Sequence, residues 1–279
     1  MPPSRPAAPS PSAAPAGPGD HRARHGPARA PAATAARPRH STAPHPPPTA
    51  RSLIVHVEGQ TEEQFVNELL APHLYDHGYA SVGARLLGNA RQRGRRGGVK
   101  SWQVVRKEIT DHLKEDHGSL ATTMVDYYGL PQSGPEAWPG RDAASGLPYP
   151  ENVAHVEEKL LRDVTSEMGR AFNPSRFIPF VMIHEFEALL FSDCQGFAEG
   201  IGQEPLAWDF QAIRDGCSGP EKIDDSPLTA PSKRITKLVP GYQKPLMGVL
   251  AALKIGLETM RSECPHFDEW LKRLETALG

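Results

Sequence analysis

Short apolar segments alternate with amphipathic segments through the middle of this chain, and this order constrains the fold most strongly. The segment Ser52–Val57 is rich in β-branched residues and bounded by polar ones, which is typical of a buried strand. Segments of the same kind lie at 81–88, 120–129 and 176–183. Apolar residues at helical spacing occupy 61–74, 101–116 and 151–172. This alternation predicts an α/β fold with a mostly parallel sheet flanked by helices.

The strand patterns end near residue 192, and prolines then divide a series of helical patterns. These prolines are Pro227, Pro231, Pro240, Pro245 and Pro265. The sequence therefore predicts an α/β core at 51–192 and a helical C-terminal extension at 193–279 that packs on the core. In the last helix, Phe267 and Trp270 are expected to face inward.

The first 50 residues differ in composition from the rest of the chain. They contain six arginines, one acidic residue and 14 of the 29 prolines. Such a Pro-, Ala- and Arg-rich segment buries too little apolar surface to offset the entropy of ordering, which predicts a disordered tail. An alternative expectation is that translation truly begins nearer Arg51.

The compartment is predicted from two further features. No stretch of 18 apolar residues exists, so a membrane span is not expected. The three cysteines are far apart in sequence and fit neither a disulfide framework nor a zinc ribbon. A reducing cytoplasm is the expected setting.

Acidic and polar residues follow the first predicted strand. Thr61 and Gln64 have the spacing of a capping box, and Glu62 and Glu63 in the first turn suit the helix dipole. Gly59 permits a tight turn, although an ordinary turn would serve as well. These local roles leave Glu58 unexplained.

Carboxylates also end the other predicted strands. Asp126 ends the third, and Glu185 and Glu187 follow the fourth. Because ligand sites of parallel sheets lie at the carboxyl ends of strands, these acids are expected to converge with Glu58. Such a cluster repels itself unless a cation lies within it, and Mg²⁺ prefers carboxylate oxygens and water. The pattern predicts a metal site for Mg²⁺ (or Mn²⁺) and phosphodiester chemistry.

Five motifs resemble the DUF4276 family, which is regarded as Toprim-like. They are "VEGQTEEQFV", "MVDYYGLP", "IHEFEALLF", "PSKRI" and "CPHFDEWL". The chain is similar, more distantly, to the Toprim nuclease domains of OLD-type and RloB-like proteins.

The resemblance implies roles for four groups of acids. Glu58 matches the first-strand glutamate, which acts as general acid/base or metal ligand, and Asp126 matches the principal metal ligand. Glu62 matches the second acid of the first motif, and Glu185 and Glu187 lie where related nucleases carry a further acidic motif. The Toprim pattern Asp-x-Asp is broken, because the third position is Tyr128. Either Glu185 or Glu187 replaces that ligand, or the site holds one ion, or it is weakened.

Basic residues are candidates for binding nucleic-acid phosphates. A glycine-rich loop carries Arg91, Arg93, Arg95, Arg96 and Lys100, and a later motif carries Lys233 and Arg234. A solvated loop and a surface pair are the alternative interpretations. His184 is a candidate metal ligand, general base or phosphate contact, with a structural histidine as the alternative.

The leading hypothesis is a Mg²⁺-dependent nuclease of Toprim type that acts on DNA or RNA. The resemblance further implies a bacterial defence or mobile-element system and an ABC- or AAA-type ATPase partner encoded nearby. The alternative is a non-catalytic regulatory or interaction subunit with a degraded Toprim site. A metal-dependent phosphatase or nucleotidyl transferase acting on small molecules is a third hypothesis.

Overall fold

Five parallel strands form one sheet, as the sequence predicts for an α/β fold. The computed structural model describes residues 51–88, 100–223 and 229–278. Its strands are β1 (Ser52–Val57), β2 (Ser81–Leu86), β3 (Leu120–Asp126), β4 (Phe177–Ile178) and β5 (Val181–Met182). The order is β2-β1-β3-β4, and β5 also pairs with β3. All of these pairings are parallel.

The strand order reverses at β1. The chain passes from β1 to β2 on one side and then crosses to β3 on the other side of β1. Open α/β sheets bind their ligands at such a switch point, outside the carboxyl ends of the strands. Because Val57 pairs with Met124, the residue after β1 lies beside the last residues of β3.

The fourth predicted strand is interrupted, so its continuity was predicted wrongly. Pro179 has no backbone N–H and separates β4 from β5. Threonine hydroxyls of β3 bridge the gap. The Thr122 hydroxyl donates to the Ile178 carbonyl, and Thr123 Oγ1 both donates to the Phe180 carbonyl (2.9 Å) and accepts from its N–H (3.0 Å).

Helices cover the sheet and are joined by loops and turns. They are α1 (Gln60–Phe65), α2 (Ala71–Asp76), α3 (Trp102–Glu115), α4 (Glu151–Met168), α5 (Cys194–Gly200), α6 (Ala207–Asp215), α7 (Pro231–Leu238), α8 (Val249–Ile255), α9 (Leu257–Glu263) and α10 (Pro265–Thr276). A π-helical stretch, Val66–Leu70, joins α1 to α2, and another, Lys244–Gly248, leads into α8. Buried apolar residues fall into two clusters, one of which combines β1 with the C-terminal helices.

The predicted capping box at the start of α1 is wrong. The N-cap is Gly59 rather than Thr61, and no side chain at the N-cap makes a hydrogen bond. Thr61 is buried, and a Cβ placed on Gly248 would lie 3.3 Å from its Cγ2. The threonine therefore packs against the segment that leads into α8 and does not cap the helix.

The C-terminal helices pack on the sheet through aromatic residues. Phe267 and Trp270 are buried, as predicted, and the Trp270 ring stacks on Phe180 with centroids 4.3 Å apart. Trp270 Nε1 also donates to Thr122 Oγ1 (2.9 Å). Pro231 and Pro265 begin helices rather than only ending them, and Pro227 lies outside the described residues.

The predicted domain boundaries remain predictions. All described residues belong to one compact unit, and residues from both sides of position 192 share one apolar core. The predicted tail, residues 1–50, lies outside the described residues. Within the part of the chain that the structure describes, no helix combines the length and apolar character needed to cross a membrane.

Candidate active site

Glu58 and Asp126 meet at the switch point of the sheet. Glu58 follows β1, and Asp126 is the last residue of β3. The backbone N–H of Asp126 is close enough to the Glu58 carboxylate to oppose the rise in its pKa. The parallel pairing of β1 and β3 thus brings together the two acids that the sequence predicts at the strand ends.

Glu185 and Glu187 approach the same place from β5. The predicted helix start there is a 3₁₀ helix, Phe186–Ser192, and Glu185 is its N-cap. Glu185 accepts hydrogen bonds from the Tyr128 hydroxyl and, at 2.8 Å, from the Ser232 N–H. Tyr128, which replaces the expected second aspartate, therefore holds another carboxylate of the cluster in place.

Lys244 supplies a positive charge that sequence reasoning missed. Its Nζ lies 3.0 Å from Glu187 Oε2 and 3.7 Å from Glu185 Oε1. The structure, not the sequence, gives a reason for such a partner. Lys244 begins a helical segment, Lys244–Gly248, where the helix dipole disfavours a cation. A lysine placed there is best accommodated by nearby carboxylates.

Burial and mutual repulsion shift the pKa values of the acids in the cluster. Burial raises the pKa of Glu58, Glu62 and Asp126, and the charge of Glu58 raises the pKa of Asp126 further. Burial also raises the pKa of Glu187 to about 7, against the opposing charge of Lys244.

Glu185 behaves differently from its neighbours. Burial opposes its ionisation, but Lys244 and the hydrogen bonds from Ser232 and Tyr128 together lower its pKa. Glu185 is therefore held as a carboxylate, and the remaining acids of the cluster carry most of the electrostatic cost.

Three oxygens of the cluster are buried and have no hydrogen-bond partner among the described residues. They are Glu58 Oε2, Asp126 Oδ1 and Glu187 Oε1. Buried carboxylate oxygens without donors are costly, and they are the ligands that a hard cation prefers. The residues present therefore fit Mg²⁺ or Mn²⁺.

The cluster is not a closed ligand shell. Across 51–88, 100–223 and 229–278, the only three metal-ligating side chains with ligand atoms within 4.8 Å of one another are His73, His77 and Glu275. An ion at the acid cluster would complete its coordination with water or substrate oxygens, as Mg²⁺ usually does.

Glu62 lies in the first turn of α1, beside the other acids of the cluster. Its carboxylate lies close to its own N–H and to the N–H of Gly59, and both oppose the rise in its pKa. Gly59 has extended backbone (φ −141°), so it is not required for a left-handed turn. A Cβ on Gly59 would lie 2.9 Å from Glu62 Oε2, so the glycine provides space for the acid. Glu62 thus lies against the N-terminus of α1, and its predicted catalytic role stays a prediction.

The roles predicted for the remaining residues also stay predictions. Arg91, Arg93, Arg95 and Arg96 lie outside the described residues, and Lys100 is half-buried. Lys233 is exposed on α7, whose first turn reaches Glu185 through Ser232. Arg234 Nε donates to the Thr229 carbonyl (2.6 Å). His184 is buried next to Glu185 in the chain.

Comparison with known proteins gives one family and one solved structure. The model of the family described as "Domain of unknown function (DUF4276)" matches residues 57–275. The C-terminal region of the Xanthomonas campestris pv. campestris OLD protein is similar at 16% identity and a TM-score of 0.38, over 82% of this chain and 96% of that one. No curated protein matches. The chemistry of the site is therefore inferred from the chain's own residues.

Proposed function

The chain belongs to the DUF4276 family, and we propose that it is a Mg²⁺- or Mn²⁺-dependent nuclease that cleaves phosphodiester bonds. The observation that carries this proposal is the meeting of Glu58 and Asp126 at the switch point of a parallel sheet. Each has a buried carboxylate oxygen with no donor among the described residues. The motifs that resemble Toprim domains carry these same two acids.

No three of these acids bring ligand atoms within 4.8 Å of one another among the described residues, so Glu58 and Asp126 would hold the cation and Glu187 would add negative charge beside it. When bound, such an ion supplies Lewis-acid charge to a phosphate and lowers the pKa of a coordinated water. Other residues of the chain hold the neighbouring carboxylates in place. Tyr128 and the Ser232 N–H orient Glu185, which keeps its charge beside Lys244.

Lys244 is suited to a phosphate group as well as to the acids. Its side chain is 45% exposed, while its Nζ lies 3.0 Å from Glu187 Oε2. Burial alone would lower the pKa of Lys244, but Glu187 and Glu185 raise it, so the side chain stays charged. A charged lysine at the rim of an acidic metal site attracts an anionic backbone that the acids would otherwise repel.

Nucleic acid is the substrate class that we propose. Lys233 is exposed near the cluster on α7, and Lys100 is the last residue of the predicted basic loop. We further propose an ATPase encoded nearby as a partner in a defence or mobile-element system, as the family resemblance implies.

Metal-dependent cleavage tests the proposal directly. Plasmid DNA and total tRNA are incubated with the full chain and Mg²⁺ or Mn²⁺, with and without the neighbouring ATPase. Wild type should cleave one of them, and Glu58→Gln and Asp126→Asn should each lower the rate at least 100-fold. The matched control is Glu63→Gln, which changes a first-turn acid next to the cluster. Equal rates for wild type and Asp126→Asn would reject the proposal.

A non-catalytic subunit is the second candidate function. Tyr128 replaces an expected metal ligand. Lys244 neutralises part of the negative charge of Glu185 and Glu187, so the cluster is stabilised in part without a metal ion. Calorimetric titration with Mg²⁺ and Mn²⁺ separates the two candidates. Asp126-dependent binding together with cleavage favours the nuclease, whereas no cleavage under any of these conditions favours the subunit.

A further inference from the structure

A second group of metal-ligating side chains lies apart from the acid cluster. His73 is on α2, His77 is the C-cap of α2, and Glu275 is on α10. Nε2 of His73 lies 2.7 Å from Glu275 Oε1, and Nε2 of His77 lies 3.9 Å from the same oxygen. The two imidazole centroids are 4.5 Å apart. Residues four apart share one face of a helix, so both imidazole rings face Glu275.

The other ring nitrogen of His77 is already engaged. Its Nδ1 lies 2.9 Å from the carbonyl oxygen of His73, which accepts its proton. That hydrogen bond fixes the tautomer in which Nε2 carries a lone pair. Metal-ligating histidines are commonly oriented in this way, with the second nitrogen donating to a backbone carbonyl.

Glu275 also forms an ion pair with Arg261. Arg261 Nη1 lies 2.6 Å from Oε1 and Nη2 lies 3.3 Å from Oε2, while Arg261 Nε contacts Asp268 Oδ1 at 2.7 Å. The Arg261 charge is thus balanced by two carboxylates. Oε1 thus already faces both histidines, and an ion bound there would compete with Arg261 Nη1 for that oxygen, while Oε2 stays with Arg261.

We propose that His73, His77 and Glu275 bind one transition-metal ion of the zinc class, which clamps the C-terminal helix α10 to α2. Two imidazoles and a carboxylate are ligands that zinc accepts, at about 2.0–2.2 Å. Tetrahedral ligands at these distances lie about 3.3 Å apart, between the two observed Nε2–Oε1 distances. Water would take the fourth position, because the His77 side chain is 37% exposed.

The clamp would join distant parts of the chain. His73 and Glu275 are 202 residues apart in sequence. The helix that carries Glu275 also buries Phe267 and Trp270 against the sheet. An ion that binds the folded chain and not the unfolded chain raises stability through mass action. The site shares no residue with the acid cluster, so neither proposal depends on the other.

Zn²⁺ titration of the full chain tests the clamp, with a large excess of Mg²⁺ present to occupy the oxygen-rich cluster. The chain has 12 histidines, so the site is identified by the difference between wild type and His77→Ala. We expect the variant to lose one equivalent of Zn²⁺ or at least tenfold in affinity. The matched control is His117→Ala, which removes an exposed imidazole elsewhere. Because the His77 ring is partly exposed, its removal leaves the fold intact.

Two further readouts complete the test. Co²⁺ bound to wild type should show visible absorption bands of a four-coordinate site, and the bands should be absent in His77→Ala. The thermal midpoint of wild type should rise with Zn²⁺ relative to EDTA, and that of His77→Ala should not. Equal Zn²⁺ binding by wild type and His77→Ala would overturn the site. Binding that leaves the midpoint unchanged would overturn the clamp.

Discussion

Lys244 and Glu187 form an ion pair inside the acid cluster, with 3.0 Å between Nζ and Oε2. The glutamate is 1% exposed, whereas the lysine side chain is 45% exposed. The buried acid therefore depends on a cation that itself reaches solvent. This asymmetry means that a change at Lys244 alters the cluster without opening a cavity in the core.

Lys244→Met should weaken both stability and cleavage. The variant leaves Glu187 buried beside Glu185 without its cation, which raises the pKa of Glu187 above its wild-type value of about 7. We expect a loss of roughly 1–2 kcal/mol in urea unfolding at pH 7.5 and at least a tenfold lower cleavage rate. Lys254→Met is the control, because Lys254 pairs with Glu199 at the surface (2.8 Å). Equal effects of the two substitutions would contradict a special role for Lys244.

Asp126→Asn should stabilise the metal-free protein while it removes the response to metal. Burial and the charges of Glu58 and Glu62 raise the pKa of Asp126 well above its ordinary value. Its ionised form therefore costs stability at neutral pH, and this cost disappears with the charge. In EDTA the variant should gain about 1 kcal/mol. Added Mg²⁺ should raise the thermal midpoint of wild type and of Glu63→Gln but not that of Asp126→Asn. A less stable variant in EDTA would contradict the prediction.

The convergence of Glu58 and Asp126 could be predicted from the sequence for a simple physical reason. Both acids end apolar strand patterns, and parallel neighbouring strands necessarily end at the same edge. The partners from the C-terminal helices could not be predicted in this way. Ser232 and Lys244 lie far from the strands in sequence, and only tertiary packing brings their N–H and Nζ to Glu185.

The helix cap and the fourth strand were misread because tertiary contacts override local patterns. Thr61 has the spacing of a cap, but it is buried against the segment around Gly248, and Glu62 reaches back to Gly59 instead. The fourth strand pattern is continuous in its apolar residues. Pro179 nevertheless interrupts its backbone ladder, and the hydroxyl groups of β3 replace the lost hydrogen bonds.

Thr123→Val tests the repair of that interrupted strand. The substitution keeps the shape of the side chain but removes the hydroxyl that pairs with both the carbonyl and the N–H of Phe180. Two buried backbone groups then lose their partner, so the free energy of unfolding should fall by about 2 kcal/mol. Thr165→Val is the matched control, because the Thr165 hydroxyl is buried with no hydrogen-bond partner among the described residues. Chemical denaturation of both variants measures the difference, and equal losses would show that the hydroxyl of Thr123 does not repair the strand.

His266→Gln should lower stability more in mild acid than in alkali. Burial opposes protonation of His266, but Glu157, 3.0 Å from its Nε2, and the charge of Glu221 together raise its pKa above the ordinary value. A raised pKa in the folded state means that the stabilisation is complete below about pH 6.5 and is lost as the pH rises through the folded pKa. Urea unfolding at pH 5.5 should show a loss of about 2 kcal/mol for the variant, and a smaller loss at pH 9. His117→Gln, an exposed histidine, should change neither value. A loss that is the same at both pH values would show that the charged form of His266 does not contribute to stability.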